Sequence, residues 1–170
     1  MIFPKKRSMK RCLLCLSAAV VLALLAACSR GSTELLGWRA TRPGMELSLE
    51  PNGGPQGEPA IALLYTIVTG QDYAIERDVS GTRLEQRPGL TLHARATRVL
   101  HLALVLVDAQ GNPYECARTL RPGDWRALEF GPFLPPAPDW GEVRLIRLED
   151  RTGGLGGQGP VSLKLVGLPL

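Results

Sequence analysis

Most of this 170-residue sequence predicts an all-β domain, an antiparallel two-sheet β-sandwich or jelly roll. Three observations predict it. Short runs alternate apolar and polar residues with period two, as half-buried strands do. Turn residues separate the runs, drawn from 19 Gly and 14 Pro. Beyond the N-terminal segment, no stretch sustains the 3.6-residue period of an amphipathic helix.

The elements follow in order. Pro43-Gly44, Asn52-Gly53-Gly54-Pro55 and Gly57 mark early turns, and Trp38 belongs near a first strand. Ala60–Val68 is a nearly continuous apolar run with β-branched and aromatic residues, closed by Gly70, which reads as a buried strand. Tyr73–Val79 alternates Tyr73, Ile75, Arg77 and Val79 against Ala74, Glu76 and Asp78. Leu90–Thr97 sets Leu90, Leu92, Ala94 and Ala96 on one face and Thr91, His93, Arg95 and Thr97 on the other. Leu100–Val107 is apolar on both faces, as a central strand of a sandwich is. Asp108-Ala109-Gln110-Gly111-Asn112-Pro113 is a turn, and Tyr114–Leu120 the returning strand. Pro122-Gly123-Asp124 turns into Trp125–Phe130. Pro132, Pro135, Pro136 and Pro138 then make an excursion that cannot join a sheet ladder. Val143–Glu149 and Val161–Val166 complete the set, joined by the glycine-rich Thr152–Pro160.

The N-terminus has a different character. Lys5, Lys6, Arg7, Lys10 and Arg11 precede fifteen residues, Leu13–Ala27, interrupted only by Cys15 and Ser17. A spanning helix needs about 20 apolar residues, so this run suits a signal-peptide core. The run closes on Leu25-Ala26-Ala27-Cys28, which resembles the lipobox of bacterial lipoproteins. That resemblance implies diacylglycerol on the Cys28 sulfur, cleavage before Cys28 and acylation of the new amino group. Ser29 follows, with no Asp; by similarity to enterobacterial sorting this implies the outer membrane, facing the periplasm, rather than retention in the inner one. The expected organisation is a signal peptide over 1–27, a lipidated N-terminus and tether over 28–37, and a jelly-roll domain over 38–170.

Removing the signal changes the charge. All five of its basic residues come from a total of 20, and none of the 16 acidic residues lies there, so the remainder is close to neutral at −1. The basic character belongs to the signal, and no Lys/Arg run remains to track a phosphate backbone, which excludes nucleic acid as a partner. Cys12 and Cys15 leave with the signal and Cys28 carries lipid. Cys116 then stands alone, expected as a small buried apolar residue rather than half of a disulfide.

A family resemblance runs over roughly 60–167. Asp78-Val79-Ser80-Gly81 through Pro88–Ala96, then Leu104–Tyr114 with its Asp, Gly turn and aromatic return, are similar in order and spacing to galactose-binding-like jelly rolls. Trp125–Phe130 with Phe133, Ile146–Asp150 and the last strand continue the likeness. Carbohydrate-binding modules attached to cellulases, and domains of complex I intermediate-associated proteins, share this pattern. The resemblance implies a concave face or edge loops that hold a ligand: a polysaccharide or peptidoglycan glycan in the first group, an envelope protein partner in the second. It also implies a structural calcium held partly by an Asp of the last strand. Here that strand reads Val161-Ser162-Leu163-Lys164-Leu165, without a carboxylate, so no cofactor is expected.

The candidate ligand-binding residues are Tyr65, His93, Arg95 and Tyr114, with Tyr73 as a further aromatic beside a turn. Thr91, His93 and Arg95 share a strand face, and Tyr65 is placed on a neighbouring strand. Trp125 is expected in the core and Trp140 under the proline-rich loop. An enzyme is not expected. His93 and His101 have no serine elbow to activate, no ligand spacing suits a metal, and Glu149 and Asp150 point to opposite faces of a strand. Gly153–Gly157 lacks the Lys-Ser/Thr of a phosphate loop. The expectation is a lipid-anchored, non-catalytic carbohydrate-binding-like protein of the envelope, with an assembly or interaction lipoprotein of the same fold as the alternative.

Overall fold

Eleven strands are present in the computed structural model, which describes residues 33–80, 90–133 and 143–168. They are β1 (Glu34–Leu35), β2 (Trp38–Ala40), β3 (Glu46–Glu50), β4 (Ala60–Ile67), β5 (Tyr73–Asp78), β6 (Leu90–Ala96), β7 (Leu100–Asp108), β8 (Pro113–Leu120), β9 (Arg126–Phe130), β10 (Val143–Asp150) and β11 (Gly159–Val166). Two antiparallel sheets result, one of six strands in the order β1-β2-β5-β10-β7-β8 and one of five in the order β3-β4-β11-β6-β9. The fold class is the one the alternation predicts, and the eight runs read from sequence correspond to β4 through β11. The chain divides into two units: Met1–Arg30, which lies outside the described residues, and Gly31–Leu170, which holds every strand.

The alternation follows from what each sheet must bury. In β6 the apolar set Leu92, Ala94 and Ala96 is buried while Thr91, His93 and Arg95 are exposed. In β7 Leu100, Leu102, Leu104 and Leu106 enter the core, where they meet Leu63, Leu163 and Leu165 from the other sheet. Its outward Ala103 and Val105 are buried as well, under the charged side chains of neighbouring strands, which explains the apolar pattern on both faces. Cys116 is a buried free thiol whose sulfur accepts the Gly131 amide at 3.2 Å.

Three elements extend beyond the sequence reading. β1 lies inside the stretch expected to be tether, and its pairing of Glu34 with Arg39 moves the start of ordered structure ahead of residue 38. Trp38 is fully buried in β2. β3 pairs all five of its residues along β4. The expectations about Trp140 and the signal segment fall outside the described residues.

The core contains polar anchors as well. Asp108 opens the β7–β8 turn and accepts four bonds: from the Gln110 and Asn112 amides at 2.9 and 2.7 Å, the Asn112 side chain at 2.8 Å and the Tyr114 hydroxyl at 3.0 Å. The Asn112 side-chain bond chiefly holds its pKa below the usual range, against a smaller opposing effect of burial. Gly111 completes that turn at φ 88°, a left-handed conformation suited to glycine.

Candidate functional site

The two outer faces of the sandwich differ in how their charges are used. On the six-stranded sheet, Arg39, Glu76, Arg147, Val105 and Glu115 form one cross-strand row. Glu76 bonds Arg39 at 2.7 Å and Arg147 at 2.8 Å. Glu149 and Glu115 share Arg151, at 2.8 and 2.7 Å. Burial pushes the Glu76 pKa up, but the bonds from Arg147 and Arg39 outweigh it and leave the carboxyl below its ordinary value. Arg151 is held further toward its charged form by Glu115, and Glu115 is lowered in return. This face is neutralised internally.

The five-stranded sheet is open. Ser48, Ala62, Lys164 and Arg95 stand in one row across its outer face, and Val166, His93 and Ala127 in the next. Lys164 is tied to Glu50 at 2.6 Å. Arg95 is not paired with any acid: its Nε donates to the Gly123 carbonyl at 3.2 Å, which fixes the side chain and leaves the terminal nitrogens without a partner among the described residues. His93 is exposed beside it. A depression of 330 Å³ opens here, lined by Arg95, Ala96, Thr97, Gly123, Ser162 and Lys164. Its floor is braced where the Ser162 amide donates to the Thr97 hydroxyl at 3.1 Å.

One aromatic lies two residues along the chain from Gly123 of that lining. Trp125 immediately precedes β9, whose Arg126 pairs with Ala94 and whose Ala127 pairs with His93. Continuing that register by one residue sets Trp125 opposite Arg95. Trp125 is half-buried, whereas Trp38, Tyr65, Tyr73, Tyr114, Phe130 and Phe133 are all buried. Among the described residues it is therefore the aromatic available to a ligand. The expectation that it packs in the core is corrected: with Leu128 and Phe130 facing inward, alternation sends position 125 to the outer face.

Of the predicted site residues, His93 and Arg95 share the outer face, as expected. Tyr65 and Tyr114 do not join them. Tyr65 is buried on the core side of β4, stacked on Tyr73 at 5.2 Å between ring centroids. Its hydroxyl donates to Asp150 Oδ2 at 2.9 Å, while Asp150 Oδ1 takes the Thr152 amide at 3.0 Å and the Thr152 hydroxyl. Burial first, and Asp150 second, push the Tyr65 pKa well up. Tyr114 is likewise buried, on Asp108. Both are structural anchors because a buried phenol needs an acceptor for its hydroxyl. Tyr73 is buried too, with the Arg42 guanidinium 5.9 Å from its ring centre.

The arrangement suits hydrogen bonding more than bond breaking. The two histidines lie on different sheets, and His101 is engaged with the Thr119 hydroxyl at 3.2 Å. Glu149 faces outward to Arg151 and Asp150 faces the core, so they do not act as a pair. Among the described residues no group of three or more His, Cys, Asp or Glu gathers as metal ligands would.

No protein-family profile and no curated protein sequence matches the chain. Solved structures do. The domain is similar to the family 11 carbohydrate-binding module of a cellulosomal cellulase from Clostridium thermocellum, with TM-score 0.54 and 12% identity over 82% of this chain and 93% of that one. A family 11 module from the same organism in complex with a β-1,3-1,4-mixed-linked tetrasaccharide gives TM-score 0.52 and 9% identity over 81% and 94%. An exo-β-agarase gives TM-score 0.59 and 9% identity over 84% of this chain and 26% of the enzyme, so the chain spans about a quarter of that enzyme's length. At these identities the likeness establishes the fold alone: the domain is an antiparallel two-sheet β-sandwich of the jelly-roll kind.

Proposed function

We propose that this protein is a lipid-anchored envelope protein whose jelly roll binds a glycan through the outer face of its five-stranded sheet, without catalysis. The observation that carries the reading is the nearness in register of Trp125, half-buried just before β9, to Arg95, whose Nε is held by the Gly123 carbonyl while its terminal nitrogens have no partner among the described residues. A sugar ring offers an apolar face of C–H groups that stacks on an indole, and a rim of hydroxyls that accepts guanidinium and imidazole donors. Thr91, His93, Ser162 and Lys164 extend the donor set across the same surface. The similarity of the domain to carbohydrate-binding modules supports the choice of ligand class. The anchor is the acylated Cys28 of the lipobox-like Leu25-Ala26-Ala27-Cys28, and Ser29 favours an outer-membrane position facing the periplasm. Two or more acyl chains make such an anchor stable where a single chain would not.

One observation favours a protein partner as the second reading. Leu64 stands on the same face and is 48% exposed, an apolar element that a sugar site does not require.

The test is titration of the soluble domain, residues 29–170, with polysaccharides and peptidoglycan fragments, with and without calcium. Saturable binding to a defined glycan is expected. Arg95→Ala should weaken it about tenfold or more, since hydrogen bonds from a charged group contribute about 1.5–3 kcal/mol, while leaving the unfolding midpoint unchanged. Absence of binding across the panel would move the function to an envelope protein partner.

A further inference from the structure

We infer that the sugar held at the open face carries a carboxylate, which makes the ligand an acidic glycan of the uronic acid class. The inference rests on the reading of that face as a glycan site, and it narrows the ligand. It is carried by the donors and acceptors left open in the 330 Å³ depression. A neutral sugar is read through hydroxyls that both donate and accept, so a site for one needs acceptors of its own. Here the acceptors are spent. The Gly123 carbonyl takes Arg95 Nε at 3.2 Å, and the Ala96 carbonyl takes the Gly123 amide at 3.3 Å. The Ser162 carbonyl takes the Thr97 amide at 3.1 Å, and the Thr97 hydroxyl takes the Ser162 amide at 3.1 Å. Among the described residues, no carboxylate and no side-chain amide lines the depression.

The donors remain. Arg95 keeps both terminal nitrogens, and the Lys164 ammonium has N–H groups beyond the one that Glu50 takes at 2.6 Å. Open donors beside spent acceptors match a substituent that only accepts. A guanidinium meets two coplanar oxygens through parallel N–H···O bonds, and on a sugar the planar group of that kind is a carboxylate. The opposite face shows the same pairing made internally: Arg39, Arg147 and Arg151 each hold a carboxylate of the chain. Arg95 has none among the described residues, which leaves its fork for one that the ligand supplies. The fork is also ordered in advance. Gly123, at φ 119°, docks on β6 through both its amide and its carbonyl, and the carbonyl holds Arg95 Nε.

The other acids of this sheet do not cancel that charge. Glu129 pairs with Thr91, four residues along β6 from Arg95, a separation of about 13 Å. Glu46 lies on β3 in one row with Leu64 and Ser162, two strands or about 10 Å from β11. Glu50 is engaged by Lys164. Asp124 follows Gly123 in an exposed turn that also holds Arg121 and Arg126, so the turn itself is net positive by one. A carboxylate seated against Arg95 therefore meets a cation that no acid of the described residues neutralises.

The test is isothermal titration calorimetry on the full chain in detergent micelles, at about 0.15 M salt to screen non-specific charge. Polygalacturonate, alginate and a glucuronan are each titrated beside a carboxyl-reduced counterpart, which keeps the linkage but turns every uronate into a neutral hexose. A neutral mixed-linked glucan, a sulfated galactan and peptidoglycan fragments complete the set. At least one uronate polymer is expected to bind saturably, with its reduced counterpart about tenfold weaker or more. Arg95→Ala should abolish that preference, and Arg95→Lys, which keeps the charge without the fork, should restore only part of it. Neutral or reduced glycans that bind as tightly as the uronates overturn the carboxylate and leave the glycan site standing. A sulfated galactan that equals the best uronate, or a preference untouched by Arg95→Ala, does the same. No binding by any member of the set overturns both.

Discussion

Tyr65 shows how one hydroxyl decides between a ligand and an anchor. Its ring is buried on Tyr73 and its hydroxyl serves Asp150, which Thr152 also serves, so the β10–β11 loop is tied to the core through one carboxyl group. Tyr65→Phe removes one donor and leaves the others, with an expected loss of about 1–3 kcal/mol in urea unfolding and no change in glycan affinity. Sequence could not reveal this role, because Tyr65 sits in a run, Ala60–Val68, that is apolar at nearly every position and therefore lacks the alternation that marks a face. Trp125 was legible in principle. Arg126-Ala127-Leu128-Glu129-Phe130 alternates, and extending that alternation by one position places Trp125 with Ala127 and Glu129 on the outer face. For His93 and Arg95 the alternation is clean over the whole of β6, and their shared face was read correctly from it.

Strands were legible where they are long and one face is apolar. β4 through β11 meet that condition. β1 and β2 are too short, at two and three residues, to display a period, and β3, Glu-Leu-Ser-Leu-Glu, is an edge strand whose Leu49 is 38% exposed. The ladder on the six-stranded sheet was also invisible in sequence, since Arg39, Glu76 and Arg147 meet only through the strand order β2-β5-β10. That ladder makes stability depend on pH. The folded pKa of Glu76 lies below its unfolded value of about 4.3. Its contribution is complete above that value and is lost as pH falls through the folded pKa, because the unfolded chain then binds the proton more readily. The wild type should therefore lose stability on acidification below about pH 4.3. Glu76→Gln should be less stable at neutral pH by about 1–2 kcal/mol, a figure reduced for the exposure of both arginines, and should show a shallower acid limb in chemical denaturation followed by circular dichroism.

At the scale of the molecule, one face of the sandwich is closed by its own ion pairs and the other presents Arg95 and His93 to solvent, with the half-buried Trp125 next to them in register. The fold alone does not distinguish these faces; the pairing of charges does. The proposed compartment rests on other residues altogether, the basic, apolar and lipobox-like sequence that ends in Cys28. Cys28→Ala should leave precursor with its signal peptide attached, seen as a larger species without acyl chains by mass spectrometry. A variant that still matures and partitions with membranes would remove the lipid anchor. Chemical-shift mapping of the 29–170 domain during glycan titration reads out whether the open face holds the ligand. Amide shifts should concentrate at Thr91–Arg95, Gly123–Ala127 and Ser162–Lys164 and leave Glu76, Arg147 and Glu115 in place. Shifts centred on the six-stranded face, or none with any glycan, would contradict that placement.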